Sequence, residues 1–261
     1  MYFMKKFFIL PMVLGCAVLT AETPAAAPVA ADDLTLSVSF DNTTEADLAN
    51  GRAAHSEFRG KIVYEPGVSG QAIRVGNNAG CALYDCKDNL DFDNPGTIVM
   101  WFKADNWHGN RGSRVSFWGL GNNNGHIALA VASTPADVCP CRRPLEFTIF
   151  HSKKRRNVRY TITPPALAKI CRNWHMVSVA WAGEQLFLSY DGAPYKAFKL
   201  QVPLSNEEFA HCARFAIGVN AGWNFLVDDF RIYGKKLSDE ELSSIWEAGK
   251  AQSQAQLPAA Q

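Results

Sequence analysis

Several groups of side chains in this sequence could do chemistry. The acidic clusters Asp228-Asp229 and Asp239-Glu240-Glu241 could serve general acid–base catalysis or a hard cation. The cysteines are seven: Cys16, Cys81, Cys86, Cys139, Cys141, Cys171 and Cys212. Setting Cys16 aside leaves an even set, which in an oxidising compartment reads as disulfides. A zinc site from Cys81-x4-Cys86 with Cys139-x-Cys141 competes, but the spacings are irregular. Trp107 and Trp223 lie in Asn- and Gly-rich stretches, 106–114 and 220–224. A loop Trp of this kind offers a flat face on which a sugar ring can stack, or folds back to cap the core. The basic run Lys153-Lys154-Arg155-Arg156 could hold sulfated or uronic polysaccharides or envelope phosphates. It could equally be a solvated hairpin tip. It has no interleaved aromatics, which argues against nucleic acid. His108, His126, His151 and His211 show neither a metal-ligand spacing nor a nucleophile elbow.

The elements that must carry these groups are strands. Leu34, Leu36, Val38 and Phe40 alternate, and so do His175, Val177, Val179 and Trp181. The latter spacing predicts a half-buried strand, then a turn at Gly183, then a second strand through Leu186, Leu188 and Tyr190, closed by Asp191-Gly192. Further strands are expected over 97–103, 115–120, 127–133, 145–151, 158–163, 214–219 and 225–233, with 81–86 a short strand or turn and 47–60 a polar stretch that carries the Asn50-Gly51 turn signal. About a dozen short strands without an internal repeat predict an antiparallel sandwich. By the order of reversals, Cys171 should approach Cys139 or Cys141. Cys81 and Cys86 could bridge locally, and Cys212 has no obvious partner. Ser238 and Glu241 form a capping box for a short helix that Gly249 should stop, and the tail 250–261 should be disordered.

Lys5 and Lys6 precede an apolar run over residues 7–19, too short for a stable membrane anchor, so residues 1–31 read as a signal peptide with an Ala/Pro-rich leader or tether. Val29-Ala30-Ala31 suits an ordinary signal peptidase. Val13-Leu14-Gly15-Cys16 is similar to a bacterial lipobox, with Cys16 as the lipidated residue, and both readings stand. Without residues 1–31 the charge balances, which removes any global pull towards nucleic acid or membrane. The membrane would be reached only through a lipid anchor. Residues 32–249 read as one domain.

Three motifs then carry a resemblance. Trp174-His175-Met176-Val177-Ser178-Val179-Ala180-Trp181 with Leu186-Phe187-Leu188-Ser189-Tyr190-Asp191-Gly192 resembles the W-H-x-V-A-V-x-Y and L-x-L-Y-V-D-G hairpin of laminin-G-like, pentraxin-like domains of the concanavalin A-like superfamily. Residues 227–242, VDDFRIYGKKLSDEEL, resemble that family's terminal strand and helix, and residues 97–103, TIVMWFK, resemble one of its central strands. The resemblance implies an all-β, antiparallel two-sheet jelly roll with a short C-terminal helix. It also implies a structural Ca²⁺ between an acid after the first strand and the Asp of the terminal strand, here Asp41 and Asp228. The glucanase motif E-x-D-x-x-E and the Q-x-H motif of lyases with this fold are absent. The implied role is therefore a non-catalytic exported module at the cell envelope or outside the cell, binding carbohydrate. Trp107, Trp223, Lys154, Arg155 and Arg156 are its candidate ligand residues. The alternatives are a structural or protein-interaction module whose partner is an envelope component, and an unrecognised polysaccharide hydrolase or lyase.

Overall fold

The computed structural model describes residues 33–54, 57–76, 79–105, 114–122, 125–131, 144–151, 156–163, 173–218 and 223–255. In chain order the strands are β1 (Leu34–Val38), β2 (Leu48–Ala49), β3 (Glu57–Arg59), β4 (Tyr64–Pro66), β5 (Gln71–Val75), β6 (Cys81–Asp85), β7 (Gly96–Ala104) and β8 (Val115–Asn122). There follow β9 (Gly125–Val131), β10 (Leu145–His151), β11 (Arg156–Ile162), β12 (Trp174–Ala182), β13 (Gln185–Tyr190), β14 (Lys196–Lys199), β15 (Arg214–Ile217), β16 (Phe225–Tyr233) and the helix α1 (Asp239–Ala255). The first sheet runs β14-β13-β12-β7-β16-β1-β2, with β5 also bonded to β16 and β4 to β5; the second runs β11-β10-β9-β8-β15-β6-β3. Every strand pair is antiparallel, and the two sheets form the sandwich that the strand pattern predicts and the jelly roll that the resemblance implies.

The hairpin β12–β13 pairs Val177 with Tyr190, Val179 with Leu188 and Trp181 with Leu186, as period two requires. These side chains enter the core between the sheets, where aromatic rings interlock. Phe102 lies 4.3 Å from Phe117, and Tyr84 and Phe230 flank Phe215 at 5.7 Å each. Removing such rings from water contributes about 1.5–3 kcal/mol apiece. The prediction of a half-buried β12 needs correction. Met176, Ser178 and Ala180, on its other face, are buried too. Met176 packs beneath α1 and Ser178 bonds Tyr195 at 3.1 Å, so β12 is covered on both sides.

The capping box forms as read: Ser238 N–H donates to Glu241 Oε2 at 2.8 Å, and Glu241 N–H to Ser238 Oγ at 3.2 Å. Gly249, however, does not stop the helix, which runs on to Ala255, so 250–255, expected as disordered tail, are helical. A Cβ at Gly249 would strike the Trp101 indole, and its absence lets the ring pack directly on the helix backbone. Here glycine serves close approach rather than termination. The polar stretch over 47–60 contains β2 and β3, and β4 and β14 were also missed. These strands are two to four residues long and carry no measurable alternation.

Candidate ligand-binding groove

The outer face of the first sheet is closed. Val99, Trp101, Met176 and Tyr233 meet Leu237, Leu242 and Ile245 of the C-terminal segment in a second apolar cluster. Trp246 stacks on Trp101 with centroids 4.9 Å apart and planes 12° from parallel. The outer face of the second sheet is built differently, and the reason lies in its outward register positions. One cross-strand row reads Leu83, Ala216, Gly119, Ala128, Thr148, Arg159 across β6, β15, β8, β9, β10 and β11. Its middle has almost no side chain, so the sheet carries a trough there.

The trough is a groove of about 650 Å³ with Ser116, Gly119, Ala128 and Ala216 on its floor and Arg59, Arg114, Arg214, His126 and His211 among its walls. Each arginine is paired with a carboxylate. Glu57 takes Arg59 Nε at 2.9 Å and Arg214 Nη1 at 3.3 Å. The Arg59 hydrogen bond is the main cause that holds the Glu57 carboxyl below its ordinary range. Arg114 Nη2 donates to Thr148 Oγ1 at 2.8 Å, and its Nε lies 3.1 Å from Glu146. That contact is off-line, so the Nε–H is buried without an acceptor. Glu146 and Thr148 are 3% and 2% exposed. Burial lowers the pKa of Arg114, opposed by Glu146. Phe150 stands beside His126 with ring centroids 5.2 Å apart, giving the rim an aromatic edge. Cations over a small-residue floor can grip an anionic, ring-shaped ligand through charge-assisted bonds while the floor admits its bulk.

None of these wall residues was read as a site in the sequence. The available signal was the run of small residues, Gly119 and Gly121 on β8 and Ala128 and Ala130 on β9, alternating with large core residues. A face made of small side chains on neighbouring strands is a trough.

The residues that were read as sites fall elsewhere. Trp223 is half-buried, packs against the main core, and buries its indole N–H without an acceptor, so here the capping alternative fits its position. Asp105 N–H donates to Asn224 O at 3.3 Å. Trp107 itself, Lys154, Arg155, Cys16, Cys139, Cys141 and Cys171 lie outside the described residues. Arg156 is tied to Gln201, through its carbonyl and its side-chain oxygen, at 3.1 Å each.

Asp41 and Asp228 do come together, on the 67–71 loop, but as acceptors of backbone N–H groups. Asp228 Oδ2 accepts from Val68 at 2.6 Å and Ser69 at 3.1 Å, its Oδ1 accepts from Asp229 at 2.8 Å, and Asp41 Oδ1 accepts from Gln71 at 2.6 Å. Gly70, at φ 59°, leaves the space that Asp41 occupies. Calcium needs roughly six to eight oxygens turned to one point. Here the buried carboxylate turns its oxygens to N–H dipoles that would repel a cation, and the described residues hold no cluster of three acidic, His or Cys groups. The two aspartates therefore do not fit a calcium cage as they stand. Burial, and then the neighbouring Asp229 carboxylate, push Asp228 up to about 8, against the pull of those N–H groups.

The pairing of Cys81 with Cys86 also needs correction. They stand at the two ends of β6, about 16 Å apart at strand rise, whereas a disulfide spans at most about 7 Å between Cα atoms. The same separation removes them as one half of a zinc site. Cys81, Cys86 and Cys212 stand unbridged in this structure.

Comparison with known proteins bears on the fold. A laminin-G family profile, described as the concanavalin A-like lectin/glucanases superfamily, matches residues 75–243. Among solved structures, the binding domain of botulinum neurotoxin DC in complex with rat synaptotagmin II is similar at a TM-score of 0.63 and 15% identity, over 84% of this chain and 52% of that one. The same toxin's binding domain in complex with SialylT is similar at 0.62 and 15%, over 84% and 51%. A type C botulinum neurotoxin structure, described as dependent upon two ganglioside molecules, is similar at 0.62 and 15%, over 84% and 51%. The chain thus spans about half the length of these structures. Among curated proteins none matches.

Proposed function

The chain belongs to the concanavalin A-like lectin/glucanases superfamily, and from that premise we propose that it is a non-catalytic carbohydrate-binding module whose ligand lies in the groove on the second sheet. One observation carries this reading: Arg59, Arg114, Arg214, His126 and His211 surround a floor of small residues, and no carboxylate lines the groove among the described residues. The ligand class that suits such walls is an acidic saccharide, uronic or sulfated, rather than the neutral glycan that a Trp platform would take. Similarity to binding domains that contact sialyl and ganglioside sugars supports it as well. The lack of a carboxylate in the groove lining, among the described residues, favours binding over glycoside hydrolysis, which uses a pair of acids. The Lys5-Lys6 pair and the apolar run over residues 7–19 support a place outside the cytoplasm, at the cell envelope or beyond. A protein-interaction module is the second reading, supported by the toxin domain bound to synaptotagmin II.

The test is titration calorimetry with oligogalacturonate, a sulfated oligosaccharide and a neutral cello-oligosaccharide. The acidic ligands should bind, and binding should weaken as salt rises, since charges at the rim are screened over about 8 Å at physiological ionic strength. Arg214→Ala should weaken it about tenfold or more. Equal binding of the neutral ligand, or indifference to Arg214→Ala, would contradict the reading.

A further inference from the structure

At the end of the sandwich where β6 finishes and β15 begins, two cysteines meet. Asp85 stands opposite Arg214 in the ladder. The pairing continues one step, with Cys86 N–H donating to the Ala213 carbonyl at 2.9 Å. Cys212 is therefore one residue from the cross-strand position of Cys86. Such neighbours lie about 5–7 Å apart at Cα, which is the span of a disulfide. The side chains share surroundings too. Both pack against the main core, and both line one cavity with Phe92, Leu120 and Phe209. Turns hold the two backbones: Leu90 N–H donates to Cys86 O at 2.9 Å, and Cys212 N–H to Phe209 O at 2.8 Å. The segments are already pinned by Asn206, whose side chain accepts from Phe92 N–H at 2.9 Å and donates to Asp91 at 2.7 Å. Cys81 is no competitor, because it starts β6 at the far end of the strand.

We propose that Cys86 and Cys212 form a disulfide that clips the 86–94 turn to the 206–213 turn. The oxidant is a low-molecular-weight disulfide such as oxidised glutathione. The first protein thiolate attacks one sulfur of that disulfide and releases one glutathione thiolate. The second protein thiolate then displaces the other glutathione, forming the Sγ–Sγ bond. Two protein thiols are oxidised and two glutathione thiols appear. Burial pushes the Cys86 thiol up to about 12, with Cys212 adding to the effect, and the Cys212 thiol up to about 11. Thiolate is scarce once the chain is folded, so the bond forms during folding and is afterwards shielded from exchange.

The test is to refold the reduced full chain in a glutathione redox buffer, block remaining thiols and map peptides without reduction. The expected result is a peptide pair joining Cys86 to Cys212 that reductant splits. The melting midpoint should lie about 5–10 °C above that of protein refolded in reductant. Cys212→Ser should abolish both the pair and that difference. If refolding fails, the same map on protein recovered from an oxidising expression compartment reads the same bond. Blocking groups on both Cys86 and Cys212, or either cysteine joined to a different one, would overturn the proposal.

Discussion

The two outer faces of this sandwich are built from the same strand geometry and end in opposite states. On the first sheet the outward positions are large and apolar, Val99, Trp101, Met176 and Tyr233, and α1 lies over them. On the second sheet the outward positions are Ser116, Gly119, Ala128 and Ala216, ringed by arginine and histidine, with no helix over them among the described residues. Side-chain size at alternate positions decides which face becomes core and which becomes a site. A large apolar face must be covered to be stable, whereas a small-residue face can stay open at little cost and admit a ligand.

Breaking the closed face should have the largest effect. Trp101→Ala removes the ring sandwiched between the sheet and α1, and should cost about 3–5 kcal/mol in denaturant titration. The melting midpoint should fall by roughly 10 °C. The folded fraction should keep its affinity for acidic saccharide, because the groove lies on the other sheet. Filling the open face should do the reverse. Ala128→Phe places a ring on the groove floor, where Ala128 is 6% exposed, and should reduce binding at least tenfold while costing no more than about 1–3 kcal/mol of stability. A large loss of stability there would mean that the second face is packed rather than open.

A smaller effect belongs to Asp228, which joins the terminal strand to the 67–71 loop. Its folded pKa, about 8, lies above the usual carboxylate value near 4 of the unfolded chain. Between those values the folded state holds a proton that the unfolded state has released. Stability should therefore fall as pH rises from about 4 towards 8. Asp228→Asn should flatten that slope, whatever it does to stability at a single pH. A wild-type melting midpoint that rises across the same window would show that the three N–H bonds outweigh burial. The smallest effect is expected from metal removal. With both aspartates committed to backbone N–H groups, EDTA should leave the melting midpoint unchanged, and a chelator-sensitive melt restored by Ca²⁺ would restore the calcium reading.

The closed face was largely open to reading from the sequence, and the groove was not. Alternation in 174–190, the terminal strand 225–233 and the Ser238–Glu241 box are local patterns, and local patterns survive in one dimension. Closure of β12 on both faces could not be read locally, since the cover comes from a helix more than fifty residues on. The groove depends on register across β15, β8 and β9, and small residues carry no hydrophobic signal of their own. Trp223 and the basic run, by contrast, stand out by residue type. In the fold Trp223 leans on the core, and Arg156 is engaged with Gln201. The Cys86–Cys212 neighbourhood was hidden for the same reason, because only the β6–β15 pairing brings residue 212 beside residue 86.

The central claim is that the open face of the second sheet is where a ligand binds. Hydrogen–deuterium exchange with and without a saturating acidic oligosaccharide tests it most directly. The account predicts added protection in β8, β9 and β15, together with Arg59 on β3, and unchanged exchange in α1. Protection confined to α1 and the first sheet, or to the segment around Trp223, would contradict it.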